Sequence, residues 1–186
     1  MQQTRAVWLI AGGAALLAPV EGVLAAQYLS LEAAQRAIFP EASGFALLAL
    51  QLSPAQREAL LALAGPQPPR GKLQVWQVQG PAGPLGYFFS DEVVGRQDFI
   101  DYALGIEPDG TLRAPEIMSY RESHGGEIRN GGWLRQFARR RDGATLRPAL
   151  DIRNIAGATL SSQHVTQGVR YLAALWQVAL RAPVAP

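Results

Sequence analysis

The chain has 186 residues, 48% hydrophobic and 17% charged, the balance of one globular domain with a sizeable core and not of a disordered chain. A net charge of only +2 and a single basic run, Arg139-Arg140-Arg141, closed at once by Asp142, argue against nucleic-acid binding, which needs a concentrated basic face. With no cysteine and only two histidines, His124 and His164, disulfides, thiolate metal sites and iron–sulfur clusters are excluded and a histidine-rich metal centre is disfavoured, so any redox chemistry must rest on an organic cofactor.

The first segment bears on the compartment. Met1 to Arg5 carries one positive charge, Ala6 to Ala18 is apolar, and Val23-Leu24-Ala25-Ala26 follows with small residues. This is the pattern of a secretory signal, residues 1–25, cleaved after Ala25 or Ala26. The apolar run is too short to span a bilayer, which takes roughly 20 residues. The expectation is a periplasmic protein with no membrane span once the signal is removed.

Ser30 caps a helix whose apolar face runs through Ala34, Ala37 and Ile38 and which Phe39-Pro40 ends. Gly44 to Leu52 reads as strand-like. Ser53-Pro54 opens a second helix, with proline at its first position and Leu60, Leu61 and Leu63 on the stripe expected to be buried. Gly65 to Gly71, rich in proline and glycine, is a loop, read as a hinge inside one domain between a helical lead-in (26–71) and the main sheet (72–182).

From Lys72 the pattern changes to strands. Leu73 to Val78 and Leu85 to Ser90 flank a Gly/Pro turn, and Phe99 to Ile106 alternates with Ile100, Tyr102, Leu104 and Ile106 on one face. Pro108-Asp109-Gly110 is a turn, Pro115 to Arg121 the next strand, and Gly131 to Ala138 a short helix or turn. Val165, Val169, Leu172 and Trp176 recur at helical spacing, so Ser161 to Leu180 is a long amphipathic helix. The predicted fold is α+β: a twisted antiparallel sheet with packed helices and a long C-terminal helix.

The segment Asp151 to Ser162 carries the chemistry. Gly157 and Ala158 leave room for close approach to the backbone, and Thr159, Leu160, Ser161 and Ser162 sit where the long helix begins. Free N–H groups and the positive end of a helix dipole suit a phosphate there. A Ser/Thr-rich helix cap with no ligand fits the same physics.

Gly157-Ala158-Thr159-Leu160-Ser161-Ser162 resembles the Ser-Gly-Ala-Thr-x-Ser/Thr motif of the FMN-binding domain family. Asp91 to Gly95, Tyr120 to Arg129 and Trp133…Gln136-Phe137 are similar to further blocks of its exported members, so the likeness spans Asp91 to Leu175. The resemblance implies FMN as cofactor. It also implies a phosphoester to Thr159, installed from FAD by a separate Mg-dependent flavin transferase, and electron exchange with redox partner proteins. The chain departs from the family pattern at Ala156, where serine is usual, and at Arg153, where an acidic residue is frequent.

The expected cofactor-binding residues are thus Thr159, Gly157, Ala158, Leu160, Ser161, Ser162, Tyr120, Glu122 and Trp133, with no catalytic or metal-binding residue. Tyr120, Trp133 and Phe137 suit either the face of a flat flavin ring or the core. Glu122 and Glu127 either hydrogen-bond the flavin or pair with Arg121 or Arg129, the ion pair being the expected arrangement. His164 is expected at the surface. A hydrolase built on Thr159, Ser161 and His164 lacks an oxyanion motif and an orienting acid. The functional expectation is electron relay by a flavoprotein; the alternative is a non-redox binding or sensor module of the same fold without covalently attached flavin.

Overall fold

The computed structural model describes residues 26–122, 124–141 and 146–181; the expected signal, 1–25, lies outside them. Helix α1 spans Leu31–Ile38, and the Ser30 hydroxyl caps it by accepting the Ala33 N–H at 3.2 Å. Helix α2 spans Pro54–Ala64 and starts with a capping box: Ser53 accepts from the Gln56 N–H while the Gln56 side chain accepts from the Ser53 N–H. The buried face of α2 is Leu60 and Ala64, four residues apart, whereas Leu61 is 62% and Leu63 38% exposed. The expected leucine stripe is corrected accordingly: one side of α2 meets the protein, and Leu61 and Leu63 are rotated off it. Ala37 is exposed for the same reason, α1 burying Ala34 and Ile38 instead.

Among the described residues the sheet has six strands: β1 (Ala26–Gln27), β2 (Gly44–Leu48), β3 (Gln74–Gly80), β4 (Gly83–Val94), β5 (Phe99–Ile106) and β6 (Glu116–Tyr120). Their order is β1-β6-β5-β4-β3-β2 and every neighbouring pair is antiparallel. Strands β2 to β6 form the meander that the turn residues foretell. The segment 26–71 supplies both edges of this same sheet, β1 and β2, so the helical lead-in and the sheet are woven together.

Helices cover both faces. After the short helix α3 (Gly131–Leu134) comes the long helix α4 (Thr159–Leu175). Ile100, Tyr102, Leu104 and Ile106 of β5 all point into the larger core, with Leu60 of α2 and with Val165, Val169 and Leu172 of α4. The smaller core, on the other face, joins α1 through Ala34 and Ile38 to Phe39, Trp76, Phe88 and Ala103. Each large side chain so buried contributes about 1.5–3 kcal/mol of transfer free energy. Helix α4 begins two residues before the expected Ser161 and runs on into a π turn, Trp176–Leu180.

An acidic side chain is buried against the larger core. Asp91 of β4 stands opposite Tyr102 of β5 in the strand register and accepts its hydroxyl hydrogen bond. Arg70 donates to the same carboxylate oxygen at 2.5 Å, and its guanidinium lies 3.9 Å from the centre of the Tyr171 ring of α4. The second oxygen, Oδ1, is buried with no hydrogen-bond partner. Burial pushes the Asp91 carboxyl up to about 6, against the pull of Arg70.

Candidate functional site

Thr159 is delivered by a turn that is fastened at both ends. Upstream, the Arg153 carbonyl accepts the indole N–H of Trp133 at 2.6 Å, and the Arg153 N–H donates to Gln136 Oε1 at 3.0 Å. Downstream, Ser162 Oγ accepts the Ile155 N–H at 3.3 Å and donates to the Thr159 carbonyl at 3.0 Å. Between them the Ala158 N–H donates to the Ile155 carbonyl at 3.0 Å, and Gly157 takes φ +82°, a conformation that side chains disfavour. Helix α4 then starts with Thr159 at its first position.

No side chain caps α4; Ala158 occupies the cap position. The Thr159 hydroxyl is therefore not a cap. Thr159 is exposed, and its hydroxyl makes no hydrogen bond among the described residues. The N–H groups of Thr159, Leu160 and Ser161 belong to the first turn and have no acceptor within the helix, the first such bond being Ser162 N–H to the Ala158 carbonyl at 2.9 Å. A free hydroxyl and outward N–H groups at the positive end of a helix fit a phosphoester.

These groups line one wall of a cavity of about 410 Å³, whose other walls are Arg96, Gln97, Tyr120, Glu122 and His124. The volume is in the range of small-molecule sites. Tyr120, at the end of β6, donates its hydroxyl hydrogen to the His124 carbonyl at 2.6 Å. That leaves Ser161 as the donor in the 3.2 Å contact between their oxygens. Burial pushes the Tyr120 phenol up, so it stays a neutral donor. Gly125, at φ +90°, lets the 124–126 backbone close against α4: a Cβ there would lie 2.7 Å from the Ala158 Cβ and 2.6 Å from the Tyr120 hydroxyl.

Glu122 and His164 differ from expectation. Among the described residues Glu122 makes no ion pair; one oxygen, Oε1, accepts the N–H groups of Arg96 at 2.6 Å, Gln97 at 2.7 Å and Asp98 at 3.1 Å. Arg121 pairs with Asp101 at 2.9 Å, and Arg129 stacks 3.6 Å over the Tyr28 ring. His164 is half-buried and not at the surface. Its Nδ1 meets the carbonyls of Val94 at 2.6 Å and Gly95 at 3.1 Å; since a carbonyl only accepts, Nδ1 carries the proton.

Of the nine expected cofactor residues, the cavity brings together Tyr120, Glu122, Gly157, Ala158, Thr159, Leu160 and Ser161. Ser162 lies behind this wall, 1% exposed, and ties the turn. Trp133 lines a neighbouring cavity of about 650 Å³ with Gln136, Arg153, Asn154 and Ile155, and packs edge-on against buried Phe137 at 5.2 Å. The turn before α4 is thus a partition, with residues 153–155 facing one cavity and 157–161 the other. Arg96 and Gln97, which sequence reasoning missed, enter the site only because the β4–β5 turn folds back against Glu122. Among the described residues no group of acidic or histidine side chains could hold a metal ion.

No curated protein matches the chain. Residues 95–174 match the model of the FMN-binding domain, a stretch that opens at the β4–β5 turn and closes within α4, and so contains every residue lining the Thr159 cavity. This stretch is similar to the FMN-binding domain, and FMN is the cofactor that the match indicates.

Proposed function

We propose that FMN is joined through its phosphate to the Thr159 hydroxyl, and that the protein relays electrons between redox partner proteins in the periplasm. The observation that carries this reading is the Thr159 hydroxyl itself, exposed and unbonded beside the free N–H groups of α4. Attachment by the flavin transferase forms a bond from Thr159 Oγ1 to the FMN phosphorus of FAD and breaks the pyrophosphate bond. AMP leaves, and the threonine proton passes to the transferase. FMN, when bound, supplies reversible one- and two-electron exchange.

The chain's own residues hold and orient. The first-turn N–H groups of α4 donate to the phosphate, and the Tyr120–Ser161 contact keeps the helix start against β6. The polar side chains Tyr120 and Glu122 are engaged in bonds within the protein, which favours a carrier over an enzyme that turns over a substrate. Export belongs to the same reading and is supported by the signal pattern of residues 1–25. No helix among the described residues is long and apolar enough to cross a membrane.

Arg153 and Ala156, the two departures from the family pattern, are both exposed. The surface offered to the transferase is altered there, which favours a second reading in which FMN is held without a covalent bond. Intact-mass spectrometry separates the two. Protein exported by a host containing the transferase should be yellow, begin at Ala26 or Gln27, and keep the added FMN mass after denaturation. Thr159→Ala should lose that mass, and Arg153→Asp with Ala156→Ser should raise the modified fraction. Colourless protein of unmodified mass, made with the transferase and ample FAD, would overturn covalent attachment; yellow colour lost on denaturation selects the second reading.

A further inference from the structure

We infer that Arg96 recognises the phosphate of the flavin nucleotide, and that Glu122 and His164 are positioning residues that hold Arg96 at the cavity. The inference rests on FMN occupying the Thr159 cavity and does not require the covalent bond.

The turn at 95–98 is exposed, yet it is fastened from both sides. Glu122 Oε1 gathers three consecutive N–H groups of the turn, and the His164 ring holds the carbonyls of Val94 and Gly95. The turn closes on itself as well: the Gly95 N–H donates to the Asp98 carbonyl at 2.8 Å, and the Phe99 N–H to the Asp98 carboxylate at 2.9 Å. Glu122 spends its charge on these backbone groups, so its carboxylate is bound to the turn and not offered to a ligand. The Asp98 carboxylate is likewise engaged.

This turn presents Arg96 and Gln97 to the cavity, and Arg96 carries the charge. Among the described residues Arg96 is the one permanent cation lining the Thr159 cavity, and it forms no ion pair. A guanidinium lining the same cavity as a helix start suits a phosphate group, which can take paired N–H donors from the arginine and backbone N–H donors from the helix. Without the Glu122 and His164 anchors, an exposed arginine on a free loop would spread over many rotamers and lose most of that advantage. The side chain confers phosphate recognition; the two anchors confer its position.

FMN and riboflavin, which differ only by the phosphate, test this directly. Full-length chain made in a host without the transferase has a free Thr159, and binding of each flavin is read by fluorescence at low salt. Arg96→Ala should weaken FMN about tenfold, leave riboflavin unchanged, and be partly rescued by Arg96→Lys. Glu122→Ala should give the same phosphate-selective loss and add little to Arg96→Ala when the two are combined, because both act through one contact. Circular dichroism and melting temperature confirm that each variant is folded. Equal affinities before and after Arg96→Ala, or equal losses for FMN and riboflavin, would overturn the role of Arg96. Additive losses in the double variant would overturn the positioning role of Glu122. Failure of the parent chain to bind either flavin would remove the cofactor reading of this cavity and the inference with it.

Discussion

Inside the sheet, Asp91 has no exposed surface and answers to two side chains, Arg70 and Tyr102, with one oxygen left bare. At the rim, Glu122 is half-buried and answers to three backbone N–H groups with a single oxygen. Both are carboxylates bound to the turn or loop beside them, yet their energetics are opposed. Asp91 was taken out of water, and its partners only partly offset the cost, so its proton is held more tightly. Glu122 keeps some water and exploits groups that a tight turn cannot satisfy by itself. The core region is a structural tie that tolerates strain; the rim region is a tie that shapes a ligand site.

The largest effect should come from removing the partner of the buried acid. Arg70→Ala leaves Asp91 in the core without its cation, held by the Tyr102 hydroxyl, and should cost about 3 kcal/mol at pH 8. At pH 5, below the folded value of about 6, the carboxyl is mostly neutral and the cost should fall to about 1 kcal/mol, chiefly the lost stacking on Tyr171. Urea unfolding at the two pH values checks this; equal losses would show that the ion pair contributes nothing.

The acid itself gives the next test. A folded value of about 6 against an ordinary 3.8 means that the folded state binds the proton more tightly than the unfolded chain. Ionised Asp91 therefore penalises the fold above pH 6, and the penalty disappears as pH falls towards 4. Asp91→Asn should gain on wild type by up to about 3 kcal/mol between pH 4 and pH 8. A difference that stays constant with pH would place Asp91 with ordinary carboxylates.

At the rim the expected changes are smaller and local. Glu122→Ala should cost about 2 kcal/mol and accelerate amide exchange at Arg96, Gln97 and Asp98 without touching the amides of Tyr102 or Leu104. Acceleration spread over β5 would erase the distinction between rim and core. Thr159→Ala should change stability by less than about 0.5 kcal/mol, since the side chain is exposed and caps nothing; a larger loss would reveal a structural role for Thr159.

The parts legible in the sequence are those governed by local rules. Strand β5 falls on Phe99–Ile106 as the alternation predicts, α1 and α2 start at Ser30 and Ser53 because a hydroxyl there meets the first free N–H groups, and α4 follows the spacing of Val165, Val169 and Leu172. The Gly-Ala-Thr segment was legible through its motif. The rest depends on contacts distant in sequence. Nothing near Glu122 announces that its acceptors are the amides of residues 96–98, and nothing near His164 points to Val94. Leu61 and Leu63 mislead because composition marks a leucine as apolar without saying which side of α2 has a neighbour. Segment 26–71 read as a lead-in with only Gly44 to Leu52 strand-like, because two-residue β1 is too short to leave a pattern and nothing local shows that β2 pairs with β3 of the main sheet.

The pairing of β1 with β6 has a consequence for the order of folding. Strands β2 to β6 close one after another with neighbours in sequence, whereas Ala26 and Gln27 must find Tyr120 and Ser119 after nearly the whole sheet exists. Closures of such long range form late, and a two-residue edge strand is among the first elements to open in the native state. Because β6 ends at Tyr120, each such opening frees one edge of the strand that carries a wall of the Thr159 cavity, while β5 still holds the other edge. Ala26 and Gln27 thus act as a late fastening of the strand beside the Thr159 cavity.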